Sequence, residues 1–166
     1  MPPAIATTRL GLEALDSTCL NDVHALFSAP GHTIGDGPVA DAGETLAWLR
    51  RRQGVYAELG WAWYGLWLSN QFVGTCGLFQ SGRCGSDPEI GYEIAASMRG
   101  LGYAKEAAEA VTAAAGLADV RHVWATIRPA NTASLRIVQA LGYEYVRTDA
   151  DAKGELAYYR TAVPTS

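Results

Sequence analysis

Residues 98–110 read MRGLGYAKEAAEA. Gly100 and Gly102 stand two apart, and the chain then becomes almost pure helix former as far as Gly116. The first N–H groups of a helix lack partners within it, and the helix dipole adds partial positive charge at that end. Glycine lets an anion approach such a backbone closely and lets the turn take left-handed dihedrals. Arg99 adds a full positive charge at the same place. Just upstream, residues 88–96 (PEIGYEIAA) alternate, with Ile90, Tyr92 and Ile94 on one face and Glu89, Gly91 and Glu93 on the other. A strand that runs through a glycine-opened turn into a helix is suited to hold an anion, and the expected ligand is a phosphate or pyrophosphate.

Working outward in both directions gives an α/β chain. Residues 122–128 (HVWATIR) read as a strand, 131–141 as a helix opened by Asn131, and 143–148 with 156–162 as a closing hairpin. On the other side, residues 8–15 (TRLGLEAL) alternate as a first strand, and Asp16 caps a helix that runs to Phe27. Residues 28–43 are loop by their glycine and proline content. Asp41, with Glu44 three residues on, begins a second helix that carries Leu46, Leu49 and Arg50-Arg51-Arg52. Residues 61–80 form two strands around the turn Ser69-Asn70-Gln71, with Trp61, Trp63 and Trp67 sharing one face as core beneath a helix. The predicted order is a meander of strands followed by a strand–helix–strand–helix unit. The run beginning at Asp149 imitates a calcium loop but puts Lys153 at its fifth position and Arg160 at its twelfth, so it reads as a hairpin turn.

The totals fit one domain over residues 1–166. Hydrophobic residues make up 49% and charged residues 18%, enough for a packed core and without a disorder signature. A net charge of −4 with no basic stripe argues against a nucleic-acid binder and favours neutral or cationic partners. Cys19, Cys76 and Cys84 are odd in number and lack CxxC spacing, which predicts free thiols in a reducing compartment. His24, His32 and His122 are scattered and suggest no metal site. No apolar run approaches the ~20 residues of a membrane span. The first residues lack the basic-then-apolar order of a signal peptide. The expectation is a cytoplasmic protein, monomer or homodimer, with neither membrane nor nucleic acid as partner.

Among phosphate motifs, GxGxxG fails for want of a third glycine in register, and GxxxxGK[ST] is absent. Arg99, Gly102 and Ala104 instead spell Arg-x-x-Gly-x-Ala. This resembles the pyrophosphate signature Gln/Arg-x-x-Gly-x-Gly/Ala of the GNAT N-acetyltransferase superfamily. It stands after the strand of residues 88–96, and a further strand follows it at the family's spacing. So do the later helix opening Asn131-Thr-Ala-Ser134 and the following Leu141-Gly142-Tyr143, and residues 7–16 (TTRLGLEALD) look like the family's first strand. The chain is most similar to the branch that includes acetyltransferases of ribosomal-protein N-termini. The resemblance implies a single-domain, mixed, mostly antiparallel sheet with splayed central strands and helices on both faces. It implies acetyl-CoA as acyl donor in that splayed cleft, and no metal. Pyrophosphate would lie on the N–H groups of Gly100, Leu101, Gly102, Tyr103 and Ala104, beside Arg99. Pantetheine would pair with the backbone near Ile94 and Ala96, Asn131 would face its amides, and Arg136 would meet the 3′-phosphate.

The implied reaction moves an acetyl group directly to a primary amine: a peptide N-terminus, an amino acid or another small amine. The amine must be neutral to attack, yet a free alkylammonium has a pKa of about 10. Glu89 and Glu93 are the candidate bases, acting directly or through water. Burial beneath the aromatic stripe would raise the pKa of either, which suits a base. The departing thiolate benefits from a proton. Many family members carry a tyrosine seven residues after the helix-opening asparagine, where this chain has Val138. The favoured branch has a serine three residues after it, and Ser134 matches. His32, Asp36 and Tyr64 are expected in the acceptor wall. The alternative is a non-catalytic acyl-CoA-binding regulatory module. Polar groups retained at Glu89, Glu93, Asn131 and Ser134 favour the enzyme.

Overall fold

The computed structural model describes residues 1–32 and 38–164. The strands are β1 (Ala4–Ala6), β2 (Gly11–Ala14), β3 (Trp63–Leu68), β4 (Gln71–Phe79), β5 (Glu89–Ile94), β6 (His122–Ile127), β7 (Glu144–Asp151) and β8 (Gly154–Ala162). They form one sheet in the order β1-β2-β3-β4-β5-β6-β8-β7. Every neighbouring pair is antiparallel except β5 and β6, which are parallel and meet in register only at Glu89 and Trp124. Past that contact the two strands splay, and the sheet opens in its middle.

Helices α1 (Leu20–Phe27) and α2 (Ala42–Leu59) cover one face, and α3 (Tyr103–Ala114) and α4 (Thr132–Ala140) the other. The caps are those the sequence offers. The Asp16 side chain accepts from the Thr18 N–H ahead of α1, and Asp41 accepts from the Gly43 N–H at the start of α2. Alternation along β3 divides the core: Trp63 is buried with Trp48, Leu49 and Phe27 beneath α1 and α2, while Tyr64 and Leu66 are buried with Ala107 and Val111 beneath α3. Fully burying one such large side chain stabilises by roughly 1.5–3 kcal/mol.

Three expectations change. The first strand is a hairpin, since β1 precedes β2, and the turn between them is held by the Thr7 hydroxyl donating to the Leu10 carbonyl. The extra strand makes the splayed pair β5 and β6 in this chain. The tryptophan stripe is also broken. Trp61 lies ahead of β3 and packs in the core beneath α3, opposite Trp63. A register shift between Leu66 and Trp67 then disturbs the alternation further. Third, the final hairpin is longer than expected, and its turn at Asp151 accepts the Lys153 N–H and pairs with Arg128 at 2.7 Å. All three cysteines are free.

Candidate active site

Helix α3 starts at Gly102, with φ at 84°, after Gly100 with φ at 79°. These left-handed conformations explain why both positions are glycine. No side chain caps the helix. Glu106, in its first turn, is taken by the N-terminal segment instead. It accepts from the Thr7 hydroxyl at 2.6 Å, the Arg9 N–H at 2.7 Å and Arg9 Nε at 2.6 Å. Arg9 also donates to the Leu101 carbonyl at 2.8 Å and stacks over the Tyr103 ring. The turn is clamped from behind while its leading N–H groups stay open, which is what a pyrophosphate needs.

A cleft of about 520 Å³ lies in front of that turn. Ile94, Arg99, Gly100, Gly102, Tyr103 and Ala104 line one side. Asn131, Ser134 and Arg136 from the start of α4 line the other. These residues fit a nucleotide thioester: open N–H groups for phosphates, and an unpaired β5 edge for an amide-bearing arm. Two expected members stand apart. Ala96 belongs to a 3₁₀ turn outside the lining, and the Leu101 side chain is 51% exposed, leaving only its backbone for the role. Met98, Lys105 and Ile137 line the cleft without having been expected. Lys105, directly after the glycine turn, was visible in the sequence as a second cation.

Arg99 is not an isolated charge at the turn. Its Nε donates to the Ile94 carbonyl at 2.9 Å, and its Nη2 donates to Gly31 O at 2.9 Å and to Glu93 Oε1 at 2.6 Å. The arginine ties β5 to the turn and to the loop after α1. Glu93 is buried and held by that bond. His32, expected in the acceptor wall, is buried against the Phe27 ring and 3.9 Å from Glu93, and is not among the residues lining these two clefts. Tyr64 is also misplaced by the sequence reading. It is fully buried on the α3 face, where its hydroxyl donates to the Pro2 carbonyl at 2.7 Å. Asp36 lies outside the described residues.

A second cleft of about 580 Å³ opens around Glu89. Glu89 sits at the single β5–β6 contact and is 1% exposed. Its Oε2 accepts from the Thr126 hydroxyl at 2.6 Å, while Oε1 is buried without a hydrogen-bond partner. Burial raises its carboxyl above the ordinary range, against the opposing pull of Thr126, Arg83 and the nearby Cys84 thiol. Arg52, Trp63 and Phe79 wall the same cleft. Tyr92, Asn131 and Ser134 line both clefts, so the two join there. The Asn131 side chain caps α4 by accepting from the Ser134 backbone N–H at 3.1 Å, which leaves the serine hydroxyl outside the cap. Tyr92 lies beside Ser134, its phenol pushed up to about 12 by burial. Val138 is buried, so α4 offers no acid at that position. Among the described residues, no group of three or more His, Cys, Asp or Glu is placed to hold a metal ion.

Residues 9–144 match the acetyltransferase (GNAT) domain, and the chain belongs to that family of acetyl-CoA-dependent acetyltransferases. No curated protein matches the chain significantly. Solved structures with the same fold include the ribosomal L7/L12 alpha-N-protein acetyltransferase RimL in complex with coenzyme A. It is 20% identical, with a TM-score of 0.85, over 96% of this chain and 98% of that one. An acetyltransferase from Agrobacterium tumefaciens is 21% identical, with a TM-score of 0.82, over 97% of this chain and 95% of that one. An acetyl transferase from Salmonella typhimurium that modifies the N-terminal serine of ribosomal L7/L12 is 18% identical, with a TM-score of 0.80, over 95% and 97%.

Proposed function

We propose that this chain, as one domain over residues 1–166, acetylates a primary amine: a peptide N-terminus, an amino acid or another small amine. The observation that carries the reading is Glu89, a buried carboxyl with one oxygen unpartnered, in a cleft that joins the cofactor cleft at Ser134. When bound, acetyl-CoA supplies the activated acetyl thioester. The residues of the α3 turn hold its phosphates, and the open edge of β5 near Ile94 holds its arm.

Glu89 Oε1 takes the proton from the incoming ammonium, directly or through one water, so that the amine attacks in neutral form. Ser134, with Tyr92 beside it, gives its hydroxyl proton to the departing sulfur and regains one from the nitrogen, which sheds its surplus proton as the amide forms. The raised pKa of Glu89 brings its basicity nearer to neutral, where a general base works best. Glu93 is the second candidate base, but its bond to Arg99 gives it a tethering role already. The ribosomal L7/L12 acetyltransferases of the same fold put short peptides with free N-termini on the test panel. No helix of the described residues is long and apolar enough to cross a membrane.

The test is CoA release from acetyl-CoA across a panel of peptides, amino acids and small amines. Amine-dependent thiol release supports the enzyme. Acetyl-CoA binding with no release for any amine supports the regulatory module instead.

A further inference from the structure

We infer that Arg52 recognises the acceptor, and that the acceptor is a small primary amine that also carries a carboxylate. The inference rests on the amine-acetylation reading above and narrows its substrate class.

Arg52 lies in the middle of α2, and its guanidinium is enclosed by three aromatic rings. The Trp48, Trp63 and Phe79 centroids stand 5.1, 4.8 and 5.3 Å away. Burial lowers its pKa to about 10, so it stays cationic at neutral pH. Its Nε is buried without a hydrogen-bond partner. Arg9, Arg99, Arg128 and Arg147 are each paired with a carboxylate, but among the described residues none is within ion-pair distance of Arg52. A half-buried charge without a counter-ion is still costly at its covered Nε, and aromatic faces offset only part of that cost. The rings pack on the guanidinium but do not satisfy its N–H donors. Those donors form a planar fork whose matching partner is a carboxylate, bound through two hydrogen bonds.

The placement fits a substrate that spans two groups. Arg52 and Glu89 wall one cleft. The Trp63 ring that stacks on Arg52 also lies over Gly91, where an added Cβ would come within 2.6 Å of it. Gly91 is two residues from Glu89 on the same face of β5. Glu89 thus meets the amine and Arg52 the acid of one small molecule. Of the cations lining the cleft, Arg128 is taken by Asp151, while Arg52 and Arg83 stand with Glu89. An amino acid is a zwitterion without net charge, which falls within the neutral or cationic partners that the net charge of −4 favoured.

The test compares free amino acids with their amides, their decarboxylated amines and their aminophosphonate analogues, in the wild type, R52M and R52K. The wild type should use the free acids with a kcat/KM about 10-fold or more above the amides, through KM. R52M, which keeps an apolar stem between the rings, should erase that ratio, and R52K should restore part of it. Equal use of acids and amides by the wild type, or a ratio kept in R52M, overturns the inference. Aminophosphonates used as well as the acids overturn the carboxylate assignment. The wild-type comparison decides even if a variant fails to fold. No CoA release with any amine would instead sink the acetyl-transfer reading. In that case calorimetry of N-acetyl amino acids against their amides, on CoA-saturated protein, still decides for Arg52, and equal affinities overturn it.

Discussion

At the scale of single residues, Glu89 is the proposed base. A base acts only when ionised, so activity falls as pH drops through its pKa. Burial lifts that pKa, and the acidic limb of kcat/KM should therefore stand above the ordinary glutamate value of about 4.3. Glu89→Gln should lower kcat/KM near neutral pH by roughly 10²-fold or more, with partial recovery at high pH, where more of the amine is already neutral. Acetyl-CoA affinity should hardly move. If Glu93→Gln loses the pH profile and Glu89→Gln keeps it, the base is Glu93. Stability gives an independent check. A carboxyl whose folded pKa is raised stabilises the fold below its unfolded pKa, and that contribution is lost as pH rises through the folded value. Glu89→Gln should therefore keep or raise the urea midpoint at neutral pH, whereas a clear fall would contradict the buried-acid account. Ser134 is separable in the same way. Its backbone N–H makes the α4 cap, so Ser134→Ala leaves the cap intact and should lower turnover by about 10-fold or more. Turnover equal to wild type would reduce Ser134 to the cap alone.

The α3 turn is the element proposed to hold the donor. Gly102 has φ at 84°, and an added Cβ there would stand 3.3 Å from Arg9 Nη2. Forcing a branched residue into that conformation costs about 1–2 kcal/mol and pushes on the clamp behind the turn. Gly102→Val should weaken acetyl-CoA binding about 10-fold or more by calorimetry. Gly100→Ala is the control. It shares the positive φ but meets open space, so it reports backbone strain without a side-chain collision. Unchanged CoA affinity in a folded Gly102→Val protein would remove the turn from the binding site.

For the whole molecule, the splay of β5 from β6 leaves the middle of the sheet open. A donor that fills it binds the folded state only. At a concentration about 100 times its Kd, such a ligand adds roughly 2.7 kcal/mol. For a domain of this size that corresponds to a rise of about 5–10 °C in Tm. Calorimetric melts with and without acetyl-CoA measure it, and no shift at saturation would contradict the cleft assignment.

The sequence by itself determined the strand–glycine-turn–helix unit and the Asn131 cap. Alternation, helix propensity, capping and positive-φ glycine are local effects that act within a few residues. It also brought Glu89, Glu93 and Ser134 forward, but it left the choice between the glutamates open. Tertiary structure separated their surroundings: Arg99 reaches back to bind Glu93, while Glu89 falls where β5 and β6 part company. Tyr64 and Trp61 show the limit from the other side. In a strand covered on both faces, apolar residues point both ways, so alternation does not say which face meets the cleft. The clamp of Arg9 on Glu106 spans 97 residues, and the rings around Arg52 come from α2, β3 and β4. Partners that distant have no period or spacing to reveal them, because only the packing of whole elements brings them together.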